Sequence, residues 1–369
     1  MADPLIKRVK QLEKKKNYKE IINLYELVIS DTDPSNKLNI ARCELNIARA
    51  YNKMGNHKEA EYYYQKSVDV EENGQARYEM CFCQFNQKKS LDGWMNYGCR
   101  WDINEMKVNK FHIDSKLLLH VQDWKTIINS RVMIVSEQGF GDEILFSRVL
   151  PHAIPLMKKV GYCAKPELLP LFKHNFPQME YTTNAEFIKP EATDWIYRDY
   201  DIIMTIGDLF RAYVMEFKKT PPVNKIFSEF TDRIPVSRKS VAYVYKAGTQ
   251  GDNGLLRSIP ANTLKFLVPH GYKIFNFQMG DSLDYTENLY SGIENFMDSA
   301  NLLEGLSHVI TVDTAFAHLA LSMGKPTLVL RNKFMDWRWK NDLYPKAKLL
   351  SINDPEFKDK VLQFLESAE

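Results

Sequence analysis

The residues with the clearest chemical content are an aspartate, a threonine and a histidine at the end of an apolar run. In the stretch from His308 to Ala320, the run ends at Val312. Asp313 and Thr314 follow, two residue types preferred at helix N-caps, and His318 falls four residues after Thr314 on the same face of the expected helix. A helix that starts there presents unpaired backbone N–H groups and the positive end of its dipole, which suits a diphosphate. Taken alone, the same residues also read as a capped helix with a packed histidine. A second candidate is the turn Glu137-Gln138-Gly139-Phe140-Gly141-Asp142. Gly139 and Gly141 are expected to permit positive φ and close approach of a ligand, with Asp142 at the mouth of a sheet. Either that, or Asp142 caps a helix at a structural turn. A third is the loop 247–254, flanked by Lys246 and Arg257. Cations at both ends of a glycine-bearing loop suit a leaving diphosphate whose developing charge no metal neutralises.

Strand-to-helix units must position these groups. The β-branched run 131–136 ends at the glycine turn, and helical spacing follows over 143–150. Strand, tight turn and helix open an α/β unit. Further apolar runs at 161–164, 201–205, 240–245, 273–278, 308–312 and 326–330 read as buried parallel strands. The loop 231–238, with Pro235, is the expected hinge between two α/β halves. A last helix is expected over about 356–365.

The first hundred residues follow another rule. Asn56-His57-Lys58-Glu59-Ala60, with Tyr64, Ser67, Tyr51 and Gly55, has the spacing of a helix-turn-helix repeat over about 41–74. Asn17-Tyr18-Lys19-Glu20-Ile21 with Tyr25 and Val28 repeats the pattern upstream, its extra length taken up by a turn through Asp31 and Pro34. Asp92-Gly93-Trp94 with Tyr97 repeats it downstream. Two to three degenerate copies of a tetratricopeptide-like (TPR-like) hairpin are therefore expected. Because each hairpin buries its apolar face only against a neighbour, 93–101 is expected to cap the stack.

Composition sets the outer limits. The 369 residues predict two or three domains, and 44% hydrophobic and 26% charged side chains describe a globular chain. Forty-nine basic against 47 acidic residues, a net charge of +2, give no argument for nucleic acid. Five cysteines without metal-ligand spacing read as reduced thiols. The N-terminus lacks a signal peptide's apolar segment and no stretch is long enough to span a membrane, so a cytoplasmic chain is expected.

DTAFAHLALSMGKPTLVL, beginning at Asp313, resembles the donor-site motif of heptosyltransferase-like glycosyltransferases, specifically the bacterial group in which tetratricopeptide repeats precede the catalytic region. Glu137 to Asp142 looks like the family's EQGxGD turn and Arg257-Ser258-Ile259-Pro260 like its RSIP turn. Phe277-Gln278-Met279-Gly280 and Asp336-Trp337-Arg338-Trp339 fit two further blocks, and 93–101 fits the segment joining repeats to enzyme. One block departs: where the family has GLxWxG, this chain has Val244-Tyr245-Lys246-Ala247-Gly248, so Lys246 reads either as a phosphate ligand or as a solvated surface lysine.

The resemblance implies an α plus α/β chain, TPR-like repeats over 1–110 followed by a GT-B glycosyltransferase with two Rossmann-like domains. An acceptor-side half would span 128–235, a donor-side half 236–350 and a closing helix 351–369. It implies an inverting, metal-independent transferase of a sugar from a nucleotide-sugar donor, with no cofactor, Asp142 as general base, and a macromolecular acceptor, protein or glycan, recruited by the repeats. Donor contacts would come from Lys246, Arg257, Ser258, Asp313, Thr314 and His318. Gln278 would face the base or ribose, or be an ordinary strand-end glutamine. Arg338 would be a second phosphate contact, or part of a stacked Trp-Arg-Trp surface. The alternative is a binding protein of the same fold without turnover. A dinucleotide-dependent oxidoreductase is disfavoured because QGFGDE lacks the third glycine of that fingerprint.

Overall fold

The computed structural model describes residues 4–103, 123–183, 196, 198–223, 225–230, 239–248, 252–332, 336–339 and 343–367. The expected hinge at 231–238 and residues 249–251 of the cation-flanked loop lie outside them. The chain divides into two compact units, 1–110 and 111–369.

The first unit is helical: α1 (Pro4–Lys14), α2 (Tyr18–Ser30), α3 (Lys37–Lys53), α4 (His57–Val70), α5 (Gly74–Asn86) and α6 (Ser90–Tyr97). Asparagines start several of these helices. The side chains of Asn17, Asn36 and Asn73 accept hydrogen bonds from the backbone N–H groups of Glu20, Asn39 and Ala76, which would otherwise be unpaired. Three hairpins, α1–α2, α3–α4 and α5–α6, close through the same geometry. Each turn places one residue at positive φ, Lys16 (55°), Gly55 (80°) and Lys88 (62°), just before the next helix is capped. Glycine is the unstrained choice there, and the two lysines show that the hairpin imposes the conformation. Packing is layered: Ile21, Tyr25 and Ile47 in one cluster, Ala60, Tyr64 and Met80 in the next. At the end of the stack Phe85, Trp94 and Tyr97 meet edge to face or tilted, and a Cβ on Gly93 would lie 2.4 Å from the Phe85 ring. Glycine at 93 is what lets α6 approach α5.

The second unit contains two parallel sheets. β1 (Arg131–Val135), β2 (Lys159–Ala164), β3 (Glu180–Thr183) and β4 (Ile202–Thr205) form one, in the order β3-β2-β1-β4. The other is built from β5 (Ser240–Val244), β6 (Lys273–Asn276), β7 (Glu287–Asn288), β8 (His308–Val312), β9 (Thr327–Arg331) and β10 (Lys348–Ser351), in the order β10-β9-β8-β5-β6-β7. All pairings are parallel, for example Val132 opposite both Val160 and Ile202, and Ala242 opposite Val309. The helices that matter below are α7 (Phe140–Phe146), α8 (Leu169–Asn175), α9 (Ile206–Phe217), α10 (Asp252–Arg257), α11 (Phe296–Glu304), α12 (Ala315–Ser322) and α13 (Phe357–Ser367).

Both sheets reverse their winding beside their first strand. From β1 the chain runs outward through β2 and β3, then crosses back to β4. From β5 it runs out through β6 and β7, then crosses to β8. The crevices at the carboxyl ends of β1/β4 and β5/β8 are the switch points where open α/β sheets take ligands.

The apolar runs expected to be strands are strands, with β1, β5 and β8 buried almost throughout. Three strands were not foreseen: β3, β7 and β10. They lie at or beside sheet edges and expose much of their length, so they carry no continuous apolar run. Among the described residues no helix is long and apolar enough to cross a membrane.

Candidate active site

The β8–α12 connection starts a helix where the sequence places one, though no side chain caps its first turn. Thr314 is the N-cap of α12 in extended conformation (φ −147°, ψ 169°), and its hydroxyl donates to the Val312 carbonyl at 3.3 Å. Asp313 is mostly buried, with Arg257 Nη1 3.6 Å from its Oδ2 and 3.4 Å from its carbonyl oxygen. Burial, and after it the nearby Asp336 carboxylate, push the Asp313 carboxyl above its usual range, with Arg257 pulling the other way.

The β1–α7 turn differs from expectation. Neither Gly139 nor Gly141 has positive φ; Gly139 is extended (φ −88°, ψ 173°), and the left-handed residue is Gln138 (φ 58°). The helix starts at Phe140, earlier than the spacing from 143 implied, so Asp142 stands in its first turn. Its Oδ2 accepts from the Gly139 N–H at 3.1 Å. What requires glycine at 141 is crowding: a Cβ there would lie 2.7 Å from His318 Cδ2 and 3.5 Å from the Ala315 Cα. The first turns of α7 and α12, one from each sheet, are therefore in contact.

Arg338 ties the same junction together. Its guanidinium holds Asp142 Oδ1 through Nη2 and through Nε at 3.0 Å, and gives Nη1 to Asp336 Oδ1 at 2.8 Å. It also lies 4.7 Å over the Trp337 ring. His318 is 3% exposed; its Nδ1 is 2.8 Å from the Tyr344 hydroxyl, and its ring stacks on Trp339 at 4.9 Å. Burial first, then the charge of Arg338, lower the His318 pKa to about 3, so the ring is neutral at physiological pH. The Trp-Arg-Trp segment thus forms a stacked surface around the ion pairs of Arg338. Its tryptophans pack, and its arginine points at charge.

The remaining candidates line the β5 end. Lys246 pairs through Nζ with Asp281, and its backbone N–H donates to Gln278 Oε1 at 2.8 Å. Ser258 staples the loop across its base, accepting from Ala247 N–H at 3.0 Å and donating to the Gly254 carbonyl at 2.8 Å. Asp142, Asp313, Thr314, His318, Arg257 and Arg338 form one connected group around the α7–α12 contact. Lys246, Gln278 and Ser258 organise the neighbouring loops.

Sequence reasoning passed over several polar groups here. Arg148, 1% exposed, donates to the carbonyl of Leu343 at 2.5 Å and to that of Pro221. Glu143 is fully buried, bonded by Lys165 Nζ at 2.8 Å and by the Tyr162 hydroxyl at 3.2 Å. The Thr205 hydroxyl at the end of β4 donates to Glu137 at 3.1 Å. Charged residues inside an apolar helical stretch were the available signal for Arg148 and Glu143. Partners scattered over the chain hid their roles. Among the described residues no cluster of three or more His, Cys, Asp or Glu side chains is placed to hold a metal ion. A cavity of about 630 Å³ lined by Lys225, Glu304, Ser307, Lys325 and Lys346 opens at the amino ends of β8 and β9, the opposite end of the sheet from Asp313.

No family model matches the chain. Among curated proteins it is similar to Protein FlbA of Caulobacter vibrioides, 30% identical over 96 residues, 25% of this chain; the match spans 15% of FlbA's length. Solved structures that the chain is similar to include glycosyltransferases. Escherichia coli ADP-heptose LPS heptosyltransferase II gives a TM-score of 0.46 at 13% identity, over 64% of this chain and 98% of that one. An E. coli heptosyltransferase solved with ADP gives 0.45 at 12%, over 65% and 100%. A family 9 glycosyl transferase from Veillonella parvula gives 0.45 at 12%, over 64% and 90%.

Proposed function

We propose that this chain is a GT-B glycosyltransferase that moves a sugar from a nucleotide-diphosphate donor to an acceptor hydroxyl, with inversion and without a metal ion. The observation that carries the reading is the contact of Gly141 with His318. It brings the strand-to-helix turn bearing Asp142 against the one bearing Asp313 and Thr314, each from the switch point of its own sheet. Two of the motifs that resemble heptosyltransferase-like enzymes, the turn from Glu137 to Asp142 and the block that begins at Asp313, fall on these turns.

In this reading the diphosphate rests on the N-terminus of α12 at Thr314 and meets Arg257, Arg338 and Lys246. Those cations stabilise the charge that develops as the bond from the anomeric carbon to the phosphate oxygen breaks. Asp142 takes the proton of the acceptor hydroxyl as its oxygen forms the new bond from the opposite face. Arg338 holds Asp142 here, so a phosphate that draws the guanidinium away would free the base once the donor has arrived. The helical unit would recruit a macromolecular acceptor.

A second reading, a nucleotide-binding protein without turnover, has an observation of its own. Lys246, Arg257 and Arg338 are all matched to carboxylates of the chain itself, Asp281, Asp313 and Asp142. Incubation with a panel of nucleotide sugars and candidate glycan or protein acceptors decides between them. Released nucleoside diphosphate that disappears in Asp142→Asn supports the transferase. Binding without release across the panel supports the second reading, and absence of nucleotide binding removes both.

A further inference from the structure

Two arginines cross the α7–α12 junction in opposite directions. Arg338 reaches from the β5–β10 side to Asp142, and Arg148 reaches from the segment after α7 to the Leu343 carbonyl. Between them stands His318. We propose that Tyr344 is a positioning residue for His318, holding its ring proton on Nε2 and turning that N–H toward the Gly141 turn.

The proton assignment follows from donor inventory. The Arg148 guanidinium lies 5.4 Å over the Tyr344 ring and has only donors, so it offers the phenol hydrogen no acceptor. Burial holds the phenol protonated. The buried phenol has one hydrogen to give, and His318 Nδ1 is 2.8 Å away. The rival acceptor, Ser322 Oγ, is buried without a hydrogen bond. Nδ1 of a neutral ring that accepts leaves the proton on Nε2. Nε2 stands 3.3 Å from where a Cβ on Gly141 would be, at the meeting of the two turns. A neutral N–H there is a donor fixed in direction, suited to an anionic oxygen arriving between Thr314 and Gly141. This step rests on the reading of His318 as a donor-phosphate contact.

The test is a long-range ¹⁵N–¹H spectrum of the ¹⁵N-histidine-labelled protein, with His318→Asn to assign the signal. The wild type is expected to show the neutral Nε2–H tautomer of His318 from pH 5 to 8. Tyr344→Phe is expected to shift the ring to a mixture or to Nδ1–H, and to weaken ADP, GDP or UDP binding about tenfold, the weight of one neutral hydrogen bond. Nδ1–H in the wild type overturns the proposal, as does an unchanged tautomer, or an unchanged Kd, in Tyr344→Phe. If that variant does not fold, the wild-type spectrum decides the matter. If no nucleotide binds any form, the tautomer result still stands and the failure belongs to the functional reading.

Discussion

Gly141 and His318 touch across the junction of two sheets, with 2.7 Å separating the imidazole Cδ2 from the place a Cβ would take on residue 141. The ring cannot swing aside, because Trp339 stacks on it and Tyr344 holds Nδ1. Gly141→Ala is therefore expected to destabilise the protein by about 1–3 kcal/mol through overpacking. Urea denaturation at constant m-value measures it. In the double variant with His318→Ala much of the loss should return, since the two residues share one contact. A Gly141→Ala protein as stable as wild type would show that the turns do not meet.

Arg338 and Asp142 should affect nucleotide binding in opposite senses. Arg338→Gln removes a charge-assisted contact and is expected to raise Kd for a nucleoside diphosphate about tenfold or more. Asp142→Asn releases Arg338 toward the ligand, so its Kd should equal or fall below that of wild type while sugar transfer drops by about 10²–10⁴. Calorimetric titration of the two variants beside wild type checks the signs. Weaker binding in both would mean that the ion pair builds the site.

Acid should unsettle the fold through His318. Its native pKa of about 3 lies below the ordinary value of 6.5, held there by burial and by Arg338, Arg148 and Arg257 against the opposing Asp336. Above pH 6.5 neither state carries the proton and this group contributes no slope. Between 6.5 and 3 the unfolded chain binds a proton that the native chain refuses. Stability therefore falls as pH falls, by at most about 1.4 kcal/mol per pH unit. His318→Asn should flatten that part of a plot of Tm against pH between 7 and 4. An identical slope in the variant would place the ring in contact with solvent.

In the helical unit, Glu79 gathers donors from three helices. It accepts from Arg49 Nε at 2.8 Å, Gln75 Nε2 at 2.7 Å and the hydroxyl of the buried Tyr64 at 3.1 Å. Glu79→Ala leaves the Tyr64 hydroxyl buried without its acceptor and should cost about 2 kcal/mol, whereas Tyr64→Phe should cost less than about 1.5 kcal/mol because no orphan remains. Chemical denaturation of the full chain compares them. Equal losses would show that Glu79 acts only through surface charge.

Much of the architecture was legible before any coordinate. The repeat signal at Asn17, Asn56 and Asp92 marks second helices of hairpins, because cap residues and apolar spacing act locally. The runs at 131–136 and 308–312 are buried strands, because a strand covered on both faces has no polar positions to break its pattern. Asp313-Thr314 starts a helix for reasons carried by three or four residues. Edge strands such as β3 escaped, since half-exposed segments leave little periodicity.

What the sequence by itself determined is therefore local: where helices and strands begin, which turns end them, and which residue types stand at the turns. Only the tertiary structure decided the partners. The reason for glycine at 141 is a histidine 177 positions later, not the positive φ that its neighbourhood implied. The cations expected to face open solvent or ligand already have carboxylates, Asp142, Asp281 and Asp313, drawn from separate turns. The physical reason is that caps and propensities act through the adjacent backbone, whereas crowding, ion pairing and the protonation of a buried ring depend on which distant segment the fold brings within 3–4 Å.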